Sequence, residues 1–207
     1  MKNNEILSDV NIYYSDLFKK YGQTPQGVDW NSESSQHFRF EILSDVIREN
    51  QCFSIIDYGC GYGAMYDYLK KKYSNFNFIG YDISQIMIHQ AIENHKDEKN
   101  TNWFSDINLI PKSDYIISSG IFNVKLNNTN TEWLKYCLET MHIINDRTIK
   151  GFSFNMLTKY SESSFMKDNL YYADPLYIFD YCKKNFSKYV ALKHDYPLYE
   201  FTIIVRK

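Results

Sequence analysis

A chain of 207 residues, 44% hydrophobic and 23% charged, is long enough to bury a single core without a metal or disulfide staple. Its net charge of −2 excludes the broad basic footprint of a nucleic-acid or anionic-membrane binder. Cysteines 52, 60, 137 and 182 form no Cys-x-x-Cys pair, no apolar run approaches ~18 residues, and the start Met1-Lys2-Asn3-Asn4-Glu5 lacks a signal-peptide core; a cytoplasmic protein without disulfides, metal or membrane span is expected.

The first half opens with helices. Ile6, Leu7, Val10, Tyr13, Tyr14 and Leu17 fall at helical spacing and predict an amphipathic helix over 5–20. A Gly/Pro-bearing loop (21–27) follows. A second helix is expected from 33 to 50, burying Phe38, Ile42, Leu43, Val46 and Ile47. The rhythm then changes. Apolar strands at 52–57 and 76–82 each end in an acid, Asp57 and Asp82, with a glycine-rich turn and a helix (62–73) between them. Ser84 caps a helix running to His95. Short strands at 102–104 and 114–118, a helix at 132–144 and a strand at 148–154 continue the alternation, which predicts a parallel sheet with helices on both faces.

After a helix at 176–185, two strands (189–193 and 199–205) follow with only about five residues between them. A link that short forces an antiparallel pair. The expectation is six parallel strands and one reversed. The chain divides as one domain: an N-terminal helical cap (1–50), a core (51–156), a covering insertion (157–174), and a C-terminal helix and hairpin (175–207).

Asp57-Tyr58-Gly59-Cys60-Gly61-Tyr62-Gly63 is the most informative segment. Its glycines permit a tight strand-to-helix turn and close backbone approach to a ligand. Asp82, 19 residues after Gly63, stands where an acid accepts from ribose hydroxyls. Gly59-x-Gly61-x-x-Ala64 also fits a nicotinamide or flavin fingerprint. The acid directly before the loop and the C-terminal hairpin count against a dinucleotide.

With Tyr81-Asp82-Ile83-Ser84, Ser105-Asp106-Ile107, Asp114 through Gly120 and the 189–205 hairpin added, the sequence resembles the class I S-adenosylmethionine-dependent methyltransferases. Trp30-x-x-x-x-Ser35-Gln36-x-x-Arg39-Phe40 and His194 through Phe201 resemble a small bacterial subgroup of mostly unassigned substrate. The resemblance implies a Rossmann-like α/β fold, a seven-stranded mostly parallel sheet with a reversed seventh strand. It implies S-adenosylmethionine as cofactor, with S-adenosylhomocysteine as product. The loop Gly59, Cys60 and Gly61 would face the methionine part, with Asp57 on its ammonium and Ser118 and Ser119 nearby. Asp82 would hold the ribose, Ile83 and Met87 the adenine ring, and Asp106 with Ile107 its edge. Arg39, one of four arginines, would take the carboxylate, with Gln36 and Trp30 at the entrance.

In open parallel sheets, ligands bind outside the carboxyl ends of the strands. Phe122, Asn123, Asn155, Tyr172 and Tyr199 are therefore expected around the acceptor, with Tyr13 and Tyr14 closing the other side. His194 is the candidate general base, on the condition that the sixth strand is parallel. His37, His89, His95 and His142 are expected to face solvent. The acceptor is expected to be a small molecule, in surface-polysaccharide or secondary-metabolite tailoring. A protein or RNA methyltransferase and a non-catalytic cofactor-binding protein are the alternatives.

Overall fold

The computed structural model describes residues 2–28, 32–49 and 52–207. Seven strands share one sheet: β1 (Phe53–Tyr58), β2 (Phe76–Tyr81), β3 (Thr101–Phe104), β4 (Ser113–Ser118), β5 (Thr148–Leu157), β6 (Tyr189–Lys193) and β7 (Glu200–Arg206). Their order is β3-β2-β1-β4-β5-β7-β6. β7 is antiparallel to both of its neighbours, and the other pairings are parallel. Six strands therefore point one way, as expected. The reversed strand does not lie at the edge; it slots between β5 and β6.

Alternation along the central strands builds a core on each face. Ile55 and Ile117 face one way, packing with Phe78, Ile204 and the helices α2 (Glu33–Ser44) and α3 (Ala64–Lys72). Ile56, Ile116, Phe154 and Ile203 face the other, packing with Trp133, Cys137 and Met141 of α5 (Asn130–Arg147) and Ile178 and Cys182 of α6 (Pro175–Asn185). The helix α1 (Lys2–Tyr21) adds Ile6 and Val10 to the second core. The helix α4 (Gln85–Asn94) buries Met87, Ile88 and Ala91.

Three expectations change. α2 ends at Ser44, six residues before the expected boundary, and Val46 and Ile47 bury from the turn that follows. Its buried face is Gln36, Arg39, Phe40, Leu43 and Ser44, a helical i, i+3, i+4, i+7 set that hydrophobicity alone does not mark. Phe38 and Ile42 are only half-buried. Ser84 occupies the N-cap of α4 without capping it by its side chain. Its backbone N–H donates to Asp82 Oδ1 at 2.9 Å, and its hydroxyl meets Ser15 of α1 at 2.9 Å. His95 is buried, not solvent-facing: it stacks on Trp103 with ring centres 5.0 Å apart and bonds the Ala91 carbonyl and Asp67. No helix among the described residues is long and apolar enough to cross a membrane.

Candidate functional site

The chain leaves β1 through Gly59 with φ +90° and Gly61 with φ +53°, both in the left-handed region. A Cβ on Gly59 would stand 2.3 Å from Ile121 Cγ2, so only glycine lets the loop after β1 pass the loop after β4. The N–H groups of Gly59 and Cys60 donate to the Tyr81 carbonyl at 2.7 and 3.0 Å. Gly61 N–H donates to Asp82 Oδ2 at 2.9 Å. The acid ending β2 thus shapes the glycine loop before any ligand is considered.

The loop opens onto a cavity of about 560 Å³ at the carboxyl ends of the strands. Gln36, Arg39, Asp57, Gly59, Cys60, Gly61, Asp82, Ile83, Met87 and Ser119 all line it, as do Tyr14, Asn123, Tyr172 and Tyr199. The end of β5 contributes Leu157 to the wall, and the segment after it Ser161, Phe165, Lys167, Leu170 and Tyr172.

Asp57 is 3% exposed, and its Oδ1 meets no partner among the described residues. Burial, with the Asp82 charge nearby, pushes its carboxyl up to about 8. Asp82 is also raised by burial, opposed by the Ser84 and Gly61 N–H groups it accepts from. Arg39 reaches the wall from α2 with its Nε donating to Glu200 Oε2 at 2.8 Å, in a pair 8% and 1% exposed.

Other expected residues stand elsewhere. Ser118 is fully buried, and its hydroxyl donates to the Tyr58 carbonyl at 2.9 Å. Strand alternation turns Ser118 inward and leaves Ser119 at the cavity. Asp106 is exposed and caps a short 3-10 turn, accepting from Asn108 N–H at 2.9 Å. Ile107 packs against the core and its carbonyl accepts from Arg147 at 3.1 Å. Phe122 is core, its carbonyl taking the Trp133 indole N–H. Asn155 lies under the cavity and accepts from Gly120 N–H at 2.8 Å. Tyr13 stands edge-on to Tyr14 outside the lining. Trp30 lies outside the described residues.

His194 meets its topological condition but not its chemical one. β6 is parallel, yet the inserted β7 makes it the fourth strand from β1, about 19 Å away at ~4.8 Å per strand. The imidazole is exposed beside Tyr160 and Phe201 and does not line the cavity. The turn after it sends Pro197, Leu198 and Tyr199 inward instead.

Sequence reasoning missed Leu7 and Val10 of α1 as wall residues, and Val28, Tyr62, Ile121 and Lys167. It quoted Glu200 without a role. The one available signal was an acid within the apolar stretch Glu200–Arg206, where a buried charge demands a partner.

A family model described as a methyltransferase domain matches residues 55–142. A Mycobacterium tuberculosis protein, Rv1506c, named as a candidate methyltransferase, is 46% identical over 162 residues, which is 78% of this chain and 98% of the relative. The magnesium protoporphyrin IX methyltransferase of Synechocystis PCC 6803, solved with S-adenosylmethionine, superposes with a TM-score of 0.59 at 13% identity over 84% of this chain and 79% of that one. A S-adenosylmethionine-dependent methyltransferase from Aquifex aeolicus gives 0.56 at 15% identity over 85% and 94%. These distant structures share the fold, and the extended identity to the mycobacterial relative carries the assignment: the chain belongs to the class I S-adenosylmethionine-dependent methyltransferase family.

Proposed function

We propose that this enzyme methylates a small-molecule acceptor held in the part of the cavity farthest from the glycine loop. The observation that supports this reading is one continuous chamber. Asp57, Gly59 and Asp82 share it with Leu157, Phe165, Tyr172 and Tyr199. Its volume of about 560 Å³ falls within the range of ~300–1,000 Å³ usual for small-ligand sites.

The residues present fit the family's cofactor. Asp57 carries a buried oxygen with no partner among the described residues, which suits an ammonium group. Both Asp82 oxygens already accept one N–H, and each keeps a lone pair for a ribose hydroxyl. Arg39 offers a guanidinium to a carboxylate. Ile83 and Met87 offer an apolar surface to the adenine ring. When bound, the cofactor supplies an electrophilic methyl group on a sulfonium.

The protein's share is alignment and exclusion of water. No histidine among the described residues lines the chamber, so the reading assigns no imidazole base. Burial raises the hydroxyls of Tyr58, Tyr81 and Tyr136 on its wall and keeps them protonated. They serve as donors and apolar surface. Tailoring of a surface polysaccharide precursor or a secondary metabolite is the setting carried over from the subgroup resemblance.

The test is to incubate the enzyme with methyl-labelled S-adenosylmethionine and a fractionated cell extract. Label is expected in a new low-molecular-weight species that chromatography separates from S-adenosylmethionine and that is absent without the enzyme. Label confined to the RNA or protein precipitate would overturn the small-molecule reading.

A further inference from the structure

We propose that Glu200 is a positioning residue for cofactor binding: it clamps Arg39 by Nε, so that the guanidinium is already oriented toward the ligand's carboxylate. The inference rests on the reading that Arg39 takes that carboxylate, and it goes beyond that reading by assigning the residue that makes Arg39 competent.

Three observations carry it. First, the pair joins α2 to the first residue of β7, 161 positions apart in sequence, and both side chains are buried. Burying two charges costs several kcal/mol before their attraction is counted, and an apolar pair often holds two elements together equally well. A role in packing alone therefore leaves this pair unexplained.

Second, only one end of the pair meets the chamber. Arg39 lines the cavity, whereas Glu200 stands behind it. A guanidinium is a rigid planar fork, so fixing Nε on one acceptor fixes the plane of the whole group. The rotamer freedom of a long side chain is then lost on folding and not again on binding.

Third, the dependence is mutual. Burial raises its carboxyl, and the Arg39 charge and hydrogen bond draw it back toward the charged form. Glu200 Oε1 and Asn155 Nδ2 do not meet with hydrogen-bond geometry. Asn155 accepts from Gly120 N–H at 2.8 Å instead, and Gly120 lines the cavity with Ser119. Arg39 with Glu200 and Asn155 with Gly120 are thus two separate bonded pairs, and the clamp on the guanidinium is the Arg39–Glu200 bond alone.

The experiment compares S-adenosylmethionine with decarboxylated S-adenosylmethionine by calorimetry, in wild type, Arg39→Leu, Glu200→Ala, Glu200→Asp and Glu200→Gln, with thermal melts to confirm folding. Glu200→Asp keeps the charge but withdraws it by one methylene, so it remains informative if Glu200→Ala does not fold. Arg39→Leu, Glu200→Ala and Glu200→Asp are expected to weaken S-adenosylmethionine by about 10–100-fold and to leave the decarboxylated ligand nearly unchanged. Glu200→Gln, which can still accept from Nε, is expected to recover most of the affinity. If Arg39→Leu is selective but folded Glu200 variants are silent or weaken both ligands equally, the positioning role is overturned and Arg39 keeps its own. If Arg39→Leu weakens both ligands equally, the carboxylate reading falls and this inference falls with it.

Discussion

Asp57 is a carboxyl placed where water does not reach it, and that has a measurable consequence. Its ordinary value is ~3.9, and burial pushes it up to about 8 in the fold. A raised acid binds its proton more tightly folded than unfolded. Stability of the ligand-free protein is therefore full at low pH and is lost as pH rises between about 4 and about 8. Asp57→Asn imitates the protonated form at every pH. The variant is expected to match wild type near pH 4, to be the more stable near pH 8, and to bind S-adenosylmethionine more weakly. Melting curves across that range check it; parallel curves for the two proteins would show that Asp57 ionises normally. The same residue illustrates what was legible. Asp57, the glycines, Asp82 and Ser119 were readable because a tight turn after a strand has few sequence solutions. Asp106 was not separable from a turn cap, since one carboxylate serves either purpose. His95 was misplaced because helical position says nothing about the Trp103 ring that covers it.

At the level of elements, α1 is the part of the wall with the weakest claim to independent stability. It brings Leu7, Val10 and Tyr14 to the cavity, and one polar tie to the rest of the site is the hydroxyl pair of Ser15 and Ser84. The sheet behind it is hydrogen-bonded throughout. Local opening therefore costs less in α1 than in β1 or β4. Without ligand, the amides of α1 are expected to exchange faster than those of the central strands, and S-adenosylhomocysteine should protect them. Unchanged α1 exchange on saturation with the product would detach this helix from the site. α1 itself was legible from its apolar spacing, within a few residues at each end. The face of α2 was not, because Gln36 and Arg39 bury polar groups against the cavity and Glu200. The insertion of β7 between β5 and β6 was not either. A five-residue link dictates an antiparallel pair, but the pairing of Gly151 through Leu157 with Glu200 through Arg206 is a long-range choice.

Across the whole molecule, the cavity is assembled from α1 and two further stretches of chain with different tasks. Val28 through Met87 supply the glycine loop, both acids and the arginine, whereas Ile121 through Tyr199 supply Leu157, Phe165, Lys167, Tyr172 and Tyr199. The division follows from topology. The first two parallel strands end at the cofactor side, and the long segment after β5 crosses back over the far side before α6 begins. Phe165 is 62% exposed and lies over Tyr199, their ring centres 5.6 Å apart. Phe165 is exposed and Tyr172 half-buried, so truncating either removes wall without emptying the fold. If the far side belongs to the acceptor, Phe165→Ala and Tyr172→Ala should leave the calorimetric affinity for S-adenosylhomocysteine within about twofold. The same changes should raise the acceptor KM by about 5–30-fold once an acceptor is found, the loss expected when ~1–2 kcal/mol of apolar contact is removed. Asp82→Ala should do the reverse, weakening S-adenosylhomocysteine by ~1–3 kcal/mol with the acceptor KM little changed. A drop in S-adenosylhomocysteine affinity in the Phe165 or Tyr172 variants would mean that the cover closes over the cofactor, and the acceptor would then have to enter from the side of α1.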